Sequence, residues 1–436
     1  MMMNFHLKIK DLKWNDIYLP ALFVVTIIST LIINIALSMV TDGEFFGRIF
    51  VSPTNDTFMD HFNSVYDCYD GNPYSHKVIY PPLANLFYLM CAKLTPNAYF
   101  ETNWYTFPGG NDIRFQSSAM MIMIAVIIST VLLIFVMFGK LLKDKGINNK
   151  IICFLFPASM AFSYPVLFTI ERGNIVLLSV CFLMIFVVFY NSHNKYLREL
   201  AYISLAISVG LKIYPVVMGL ILIFEKQWKA VIKVLLYGIL FFFGPFVFFD
   251  GYHGLNKLLS NLVYNTYYLG EFGYGYKVSF ENFFSAMNDL LFSGTVNVVA
   301  VKVAAIAIIF LCTLTALITK KRWTRFFMLT ILSINLVSIS YSYSLMFLLI
   351  PLFYFIKEYK VTSFRHLCFA LIFTIPFIYV PPVFSSIFAK ININSLFNFN
   401  MDMLFKNTAL LAICIILITH EIYSFIKRRK KITASD

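Results

Sequence analysis

The sequence predicts an all-α, polytopic integral membrane protein, and three observations carry that prediction. Of 436 residues, 59% are hydrophobic and only 13% charged. The mean hydropathy is +0.76. Apolar runs of spanning length recur from one end to the other, joined by short polar connections. No stretch is left over for a soluble domain, so the chain reads as one transmembrane domain, 1–436.

The run "IYLPALFVVTIISTLIINIALSMV" from Ile17 opens the series. It exceeds the roughly 7–15 apolar residues of a secretory signal core, so it is expected to stay as the first helix. A polar loop, 41–78, follows. "YPPLANLFYLMCAKL" from Tyr80 then starts a helix with proline in its first turn, where the missing N–H costs nothing. In the second half, spans are expected near 229–249, 298–319, 324–341, 343–357, 366–384 and 405–426, with polar loops at 250–297 and 385–404.

The net charge of +13 sits at span ends, in "HLKIKDLK", "KLLKDKGINNK", "KKRWTR" and "KRRKK". That is the positive-inside pattern and not a nucleic-acid footprint. The terminal "IKRRKK" reads as a stop-transfer flank, with anionic lipid headgroups as its alternative contact. The seven cysteines show no CxxC spacing, so neither a disulfide framework nor a metal cluster is expected.

Positive-inside counting puts both termini in the cytoplasm and 41–78, 250–297 and 385–404 outside. Two pieces, 79–96 and 199–225, admit two parses. If each crosses once, the total is about twelve (range 10–13) and "KLLKDKGINNK" is forced outside against the charge rule. If 79–96 dips in and returns, and 199–225 is a pair broken around "GLKIYP", that basic loop moves inside. Such re-entrant backbone is tolerated only against protein or a watery cavity, so the second parse implies a cavity.

Three constellations carry chemistry. In "DHFNSVYDCYDGNPYSHKVIYPP", Asp60, Asp67 and Asp70 follow a span with almost no compensating cation, although solvated loop carboxylates would look the same. In "FTIERGNIVLL", Glu171 and Arg172 adjoin Gly173 and Asn174 and are expected at the mouth of a long apolar helix, where Arg172 would grip a phosphate or simply snorkel. In "SVGLKIYPVVMGLILIFEKQW", Lys212 lies deep in an apolar run loosened by Gly210 and Pro215, which marks it as functional by default. Aromatic residues near these sites, such as Tyr66, Tyr69, Tyr74, Tyr80 and Tyr267 to Tyr276, suit sugar stacking or an interfacial belt.

In this order and spacing the segments resemble the GT-C superfamily of membrane glycosyltransferases, and within it glycosyltransferase family 87. The resembling residues are Asp60, then Gly71, Pro73, Tyr74, Tyr80, Pro81 and Pro82, then Gly173 and Asn174, then Lys212, Pro215 and Trp228. The resemblance covers the half 1–225, with 226–436 adding further spans. It implies a hexosyl- or pentosyltransferase taking a sugar from a polyprenyl-phosphate donor to a surface-glycan or lipid-linked acceptor. A phosphate leaving group needs no proton from a second carboxyl, so one carboxylate suffices as base. Asp60 is the expected base, with Asp67 and Asp70, and also the nearby Asp56, as alternatives. Arg172, Lys212 and Lys77 are the expected donor-phosphate cations. Tyr74, Tyr80, Pro81, Pro82, Glu171, Asn174 and Tyr214 are the expected cavity residues. No metal or other cofactor is expected, since the aspartate spacings match no ligand pattern; a divalent cation bridging aspartate and phosphate is the alternative. The competing readings are an O-antigen or capsule polymerase and a polyprenyl-linked glycan flippase or transporter. Abundant Ile, Asn and Lys suggest a bacterial inner-membrane protein with its site facing the periplasm.

Overall fold

The computed structural model describes residues 12–43, 56–95, 114, 117–268, 277–336, 340–380 and 401–433. It is helical throughout; among the described residues the only β-type pairing is an isolated antiparallel bridge between Lys277 and Tyr341. In chain order the helices are α1 (Leu12–Val40), α2 (Met59–Asp67), α3 (Pro82–Lys93), α4 (Ser117–Asp144), α5 (Lys150–Ala161), α6 (Tyr164–Arg172), α7 (Val176–Phe189) and α8 (Lys195–Leu211). They continue with α9 (Leu220–Phe224), α10 (Trp228–Phe243), α11 (Gly251–Tyr268), α12 (Phe280–Phe292), α13 (Val298–Ile318), α14 (Arg322–Ile334), α15 (Leu349–Glu358), α16 (Phe364–Thr374) and α17 (Met401–Thr433).

Among the described residues, five helical stretches are long and apolar enough to cross a membrane: Ile17–Val40, Ser117–Asp144, Trp228–Phe248, Val298–Ile318 and Asp402–Arg428. Taking α5 and α6 as one span bent by 44° gives six. These are fewer than the passages expected from apolar runs, and the reason is burial. The long helices show apolar side chains to the outside, such as Val25, Leu132, Leu236 and Ile306. By contrast α15 is buried from Leu349 to Ile356, and most of α14 is buried too. Helices wrapped by protein need not reach the full hydrocarbon thickness to satisfy their backbone.

Of the two ambiguous pieces, 199–225 follows the broken geometry, whereas 79–96 forms a short helix whose onward path lies outside the described residues. Helix α3 has 12 residues, about 18 Å of helix against a hydrocarbon core of roughly 30 Å. Helix α8 stops at Leu211, Lys212 is extended (φ −150°, ψ 130°), and a 3₁₀ turn, Tyr214–Gly219, leads into α9. The chain then returns to the level it left, because the Tyr190 hydroxyl donates to Glu225 Oε1 at 3.1 Å. Residues 195–225 therefore form a hairpin with Lys212 at its tip. Near its feet, Glu225 faces Arg322 at 3.9 Å and Arg325 at 3.8 Å. Lys145 Nζ donates to the Ile356 carbonyl at 2.7 Å. Lys321 lies 3.5 Å from Glu421. The basic loop after α4 thus shares one end of the molecule with "KKRWTR", "KEYK" and the C-terminal part of α17.

Reciprocal hydrogen bonds fasten the hairpin to α7. Ser208 Oγ donates to the Ser179 carbonyl at 2.7 Å, Ser179 Oγ reaches the Ser208 carbonyl at 3.1 Å, and the two hydroxyls lie 3.0 Å apart. Small polar residues of this kind bring apolar helices close. Gly210 does the same for α3 and α10: a Cβ there would meet Leu83 Cδ2 at 2.8 Å and the Phe241 carbonyl at 3.1 Å.

Candidate active site

The first polar loop supplies α2, whose entry is bent. Phe58 precedes it with φ 64°, a left-handed conformation that is costly for a bulky residue. Its amide donates to the Glu171 carbonyl at 2.6 Å, so the strain is held by α6. Gly173 completes the lock: it ends α6 at φ 64°, and a Cβ there would stand 3.1 Å from both His61 Cβ and the Phe58 carbonyl. Glu171 thereby acts here through its backbone. Glu171 and Arg172 close α6 instead of opening the next span, which corrects the helix-mouth expectation. Helix α7 begins at Val176, whose N–H donates to the Asn174 side chain at 3.1 Å, and a cation suits the carbonyl end where Arg172 lies.

This junction brings Asp60, Arg172 and Asn174 together across 112 and 114 residues of chain. Arg172 Nη2 and Nε donate to Asp60 Oδ1 at 2.5 and 3.2 Å. Asn174 Nδ2 donates to Asp60 Oδ2 at 2.7 Å and to the Tyr80 hydroxyl at 3.4 Å. Arg172 Nη1 reaches Asp56 Oδ2 at 2.5 Å and the Asp56 carbonyl at 3.3 Å. The guanidinium therefore bridges two carboxylates, and the phosphate-binding role expected for it meets a cation already neutralised.

Lys212 is different. It is buried at the hairpin tip, and its ammonium lies over the ring of Tyr80 at 4.2 Å, with Tyr343 at 5.3 Å and Tyr214 at 5.7 Å. Cation–π contacts hold the charge in place without cancelling it. No carboxylate among the described residues pairs with this ammonium, although Asp60 lies within its electrostatic reach.

The remaining candidates lie along the chain on either side of Tyr80, and the Tyr74 hydroxyl donates to the Tyr80 carbonyl at 3.4 Å. Asp70 accepts from the Asn72 amide at 2.7 Å and faces His76 at 3.0 Å, exposed. Asp67 neighbours the same two side chains, and burial raises its carboxyl to about 6. Lys77 sits over the ring of Tyr264 at 4.3 Å. Tyr74 packs on Phe246 and Phe249, while Asn261 of α11 donates to the Tyr74 and Val78 carbonyls at 2.9 and 3.0 Å and clamps the loop. Pro81 and Pro82, both buried, start α3 as expected. Tyr267 to Tyr276 and the loop 385–404 lie wholly or largely outside the described residues or side chains. Among the described residues no group of three or more His, Cys, Asp or Glu side chains could hold a metal ion.

Two residues escaped the sequence reading. Tyr341 and Tyr343, brought in from the second half, stand at the site with ring centroids 6.0 Å apart. Their signal was "SYSYS" from Ser340, an alternation of hydroxyl side chains inside an apolar stretch.

The family model of glycosyltransferase family 87 matches residues 79–342, more than half of the chain. The chain belongs to glycosyltransferase family 87. Family membership makes it a membrane glycosyltransferase, and the match takes in Tyr80, Arg172, Asn174, Lys212, Tyr214 and Tyr341, whereas Asp56 and Asp60 precede it. No curated protein and no solved structure matches the chain.

Proposed function

We propose that the protein transfers a sugar from a polyprenyl-phosphate donor to a surface-glycan or lipid-linked acceptor, with Asp60 as general base and Lys212 as the receiver of the phosphate. The carrying observation is the division of charge: Asp60 is held by Arg172 and Asn174, while the ammonium of Lys212, within its reach, has no carboxylate partner among the described residues. The acceptor hydroxyl attacks C1 of the sugar as Asp60 takes its proton. The C1–O bond breaks, and its electron pair leaves on the phosphate, whose growing charge Lys212 stabilises. Asp60 Oδ1 receives two donors from Arg172 and Oδ2 one from Asn174, so Oδ2 keeps a lone pair for the proton. Arg172 fills the space between Asp56 and Asp60 that a divalent cation would need, which supports a metal-free reaction. The positive-inside rule, with the basic loops at one end, supports cytoplasmic termini and a site facing the other side of the membrane.

The test uses the full-length protein in lipid nanodiscs with decaprenyl phosphates carrying mannose, glucose, galactose or arabinofuranose, and envelope glycan as acceptor. Asp60→Asn is expected to lose roughly 10²–10⁴-fold in transfer while still binding donor. Lys212→Gln is expected to lose donor binding. An Asp60→Asn protein that transfers at the native rate overturns the assignment.

A further inference from the structure

On the reading that Lys212 receives the donor phosphate, the structure also indicates where the sugar lies. Tyr343 is committed to Lys212, its ring 5.3 Å from the ammonium. Tyr341 is the next ring outward, 6.0 Å from Tyr343 and inclined to it by 37°. It is half-buried and within electrostatic reach of both Asp60 and Arg172. The sugar of the donor is joined directly to the phosphate, so with the phosphate on Lys212 its ring falls one ring-width away, on the Asp60 side. We propose that Tyr341 is the stacking platform of a donor-sugar subsite, its ring taking the C–H face of the sugar while Asp60 addresses the acceptor at C1.

The backbone around Tyr341 is built to hold a ring in place. Lys277 pairs with it in an antiparallel bridge, and the Val278 amide donates to the Ser340 carbonyl at 2.7 Å. Ser340 Oγ donates to Ser344 Oγ at 2.7 Å, and Ser342 Oγ to Met403 Sδ at 2.9 Å. Asn407 Nδ2 donates to the Lys277 carbonyl at 3.2 Å. Two distant segments, 277–278 and 403–407, thus fix one short stretch whose tyrosines face the site. Such a platform would let the second half of the chain set sugar preference, while Asp60, Arg172 and Lys212 in the first half perform the transfer.

The experiment compares binding of bare decaprenyl phosphate with that of the four sugar-loaded forms to the full protein in nanodiscs. Wild type is expected to bind one loaded form more tightly than the bare lipid. Tyr341→Leu, which keeps apolar volume but removes the ring, is expected to lose that preference by roughly tenfold with bare-lipid binding unchanged, and Tyr341→Phe to retain it. Equal loss of bare and loaded lipid in Tyr341→Leu, or no loss of preference, overturns the subsite. So does a wild-type protein that binds bare lipid yet prefers no loaded form. A wild type that binds no prenyl phosphate, or a Lys212→Gln protein that binds it normally, instead overturns the reading of Lys212 on which the subsite rests.

Discussion

At the residue scale, the two oxygens of Asp60 are inequivalent, and that inequivalence can be measured. Removing the donor to Oδ2 with Asn174→Ala is expected to lower kcat by about tenfold or more with donor KM little changed, since the side chain meets the carboxylate and not the phosphate; steady-state kinetics against each substrate would show the split. Two titrations in the same loop oppose one another. Burial lowers the His61 imidazole from 6.5 to about 4, so between those values the unfolded chain binds the extra proton and stability falls as pH falls. Burial raises Asp67 from 3.8 to about 6, so there the folded chain binds the extra proton and stability falls as pH rises. His61 is the more completely buried, and its shift is worth roughly 3 kcal/mol. His61→Phe is expected to flatten the drop in Tm between pH 6.5 and 4, and Asp67→Asn to raise Tm at pH 7 while mattering little below pH 4. Asp60, Asn174 and Lys212 were legible in the sequence because polar residues in or beside apolar runs stand out. The pairing of Arg172 with Asp56 was not, since charge type alone does not say whether a cation meets a carboxylate or a phosphate.

At the scale of elements, the site depends on a close contact between α2 and the α6–α7 junction. Gly173 needs both a positive φ and the absence of a Cβ. Gly173→Ala is therefore expected to cost about 1–2 kcal/mol from the left-handed backbone alone and to lower activity further by shifting Asp60. Thermal unfolding and transfer assays on the same preparation would separate the two effects. The proline-started helix at Pro82 was readable from local stereochemistry. The direction of the Glu171–Arg172 element was not, because a short helix ending in Gly-Asn and a longer one beginning there have the same local composition. Tyr341 was hidden for another reason: its partner segments lie near residues 277 and 403, and no local pattern encodes that meeting.

At the scale of the whole molecule, the ion pairs and backbone contacts gather the basic loops at one end. A cysteine introduced at Gly146 is expected to react with an impermeant maleimide from the same side as one at Lys360, and one at Asp42 from the opposite side. Labelling of intact cells and of inverted vesicles would decide it. Transfer is expected to persist in excess EDTA, assayed alongside untreated enzyme, because Arg172 already holds Asp56 and Asp60 together. The many-helix architecture was legible from hydropathy. The short inner helices were not, since an apolar run is equally greasy whether lipid or protein surrounds it.

The hairpin around Lys212 carries one more consequence. Its rising limb, α8, has 17 residues and is about 25 Å long, and its returning limb ends at Glu225, gripped by Tyr190 and faced by Arg322 and Arg325. The ammonium of Lys212 is thus the cap of a post whose footing lies at the other end of the hairpin. If Lys212 receives the phosphate as proposed, how deeply that phosphate can seat would be set at this footing, remote from the substrate.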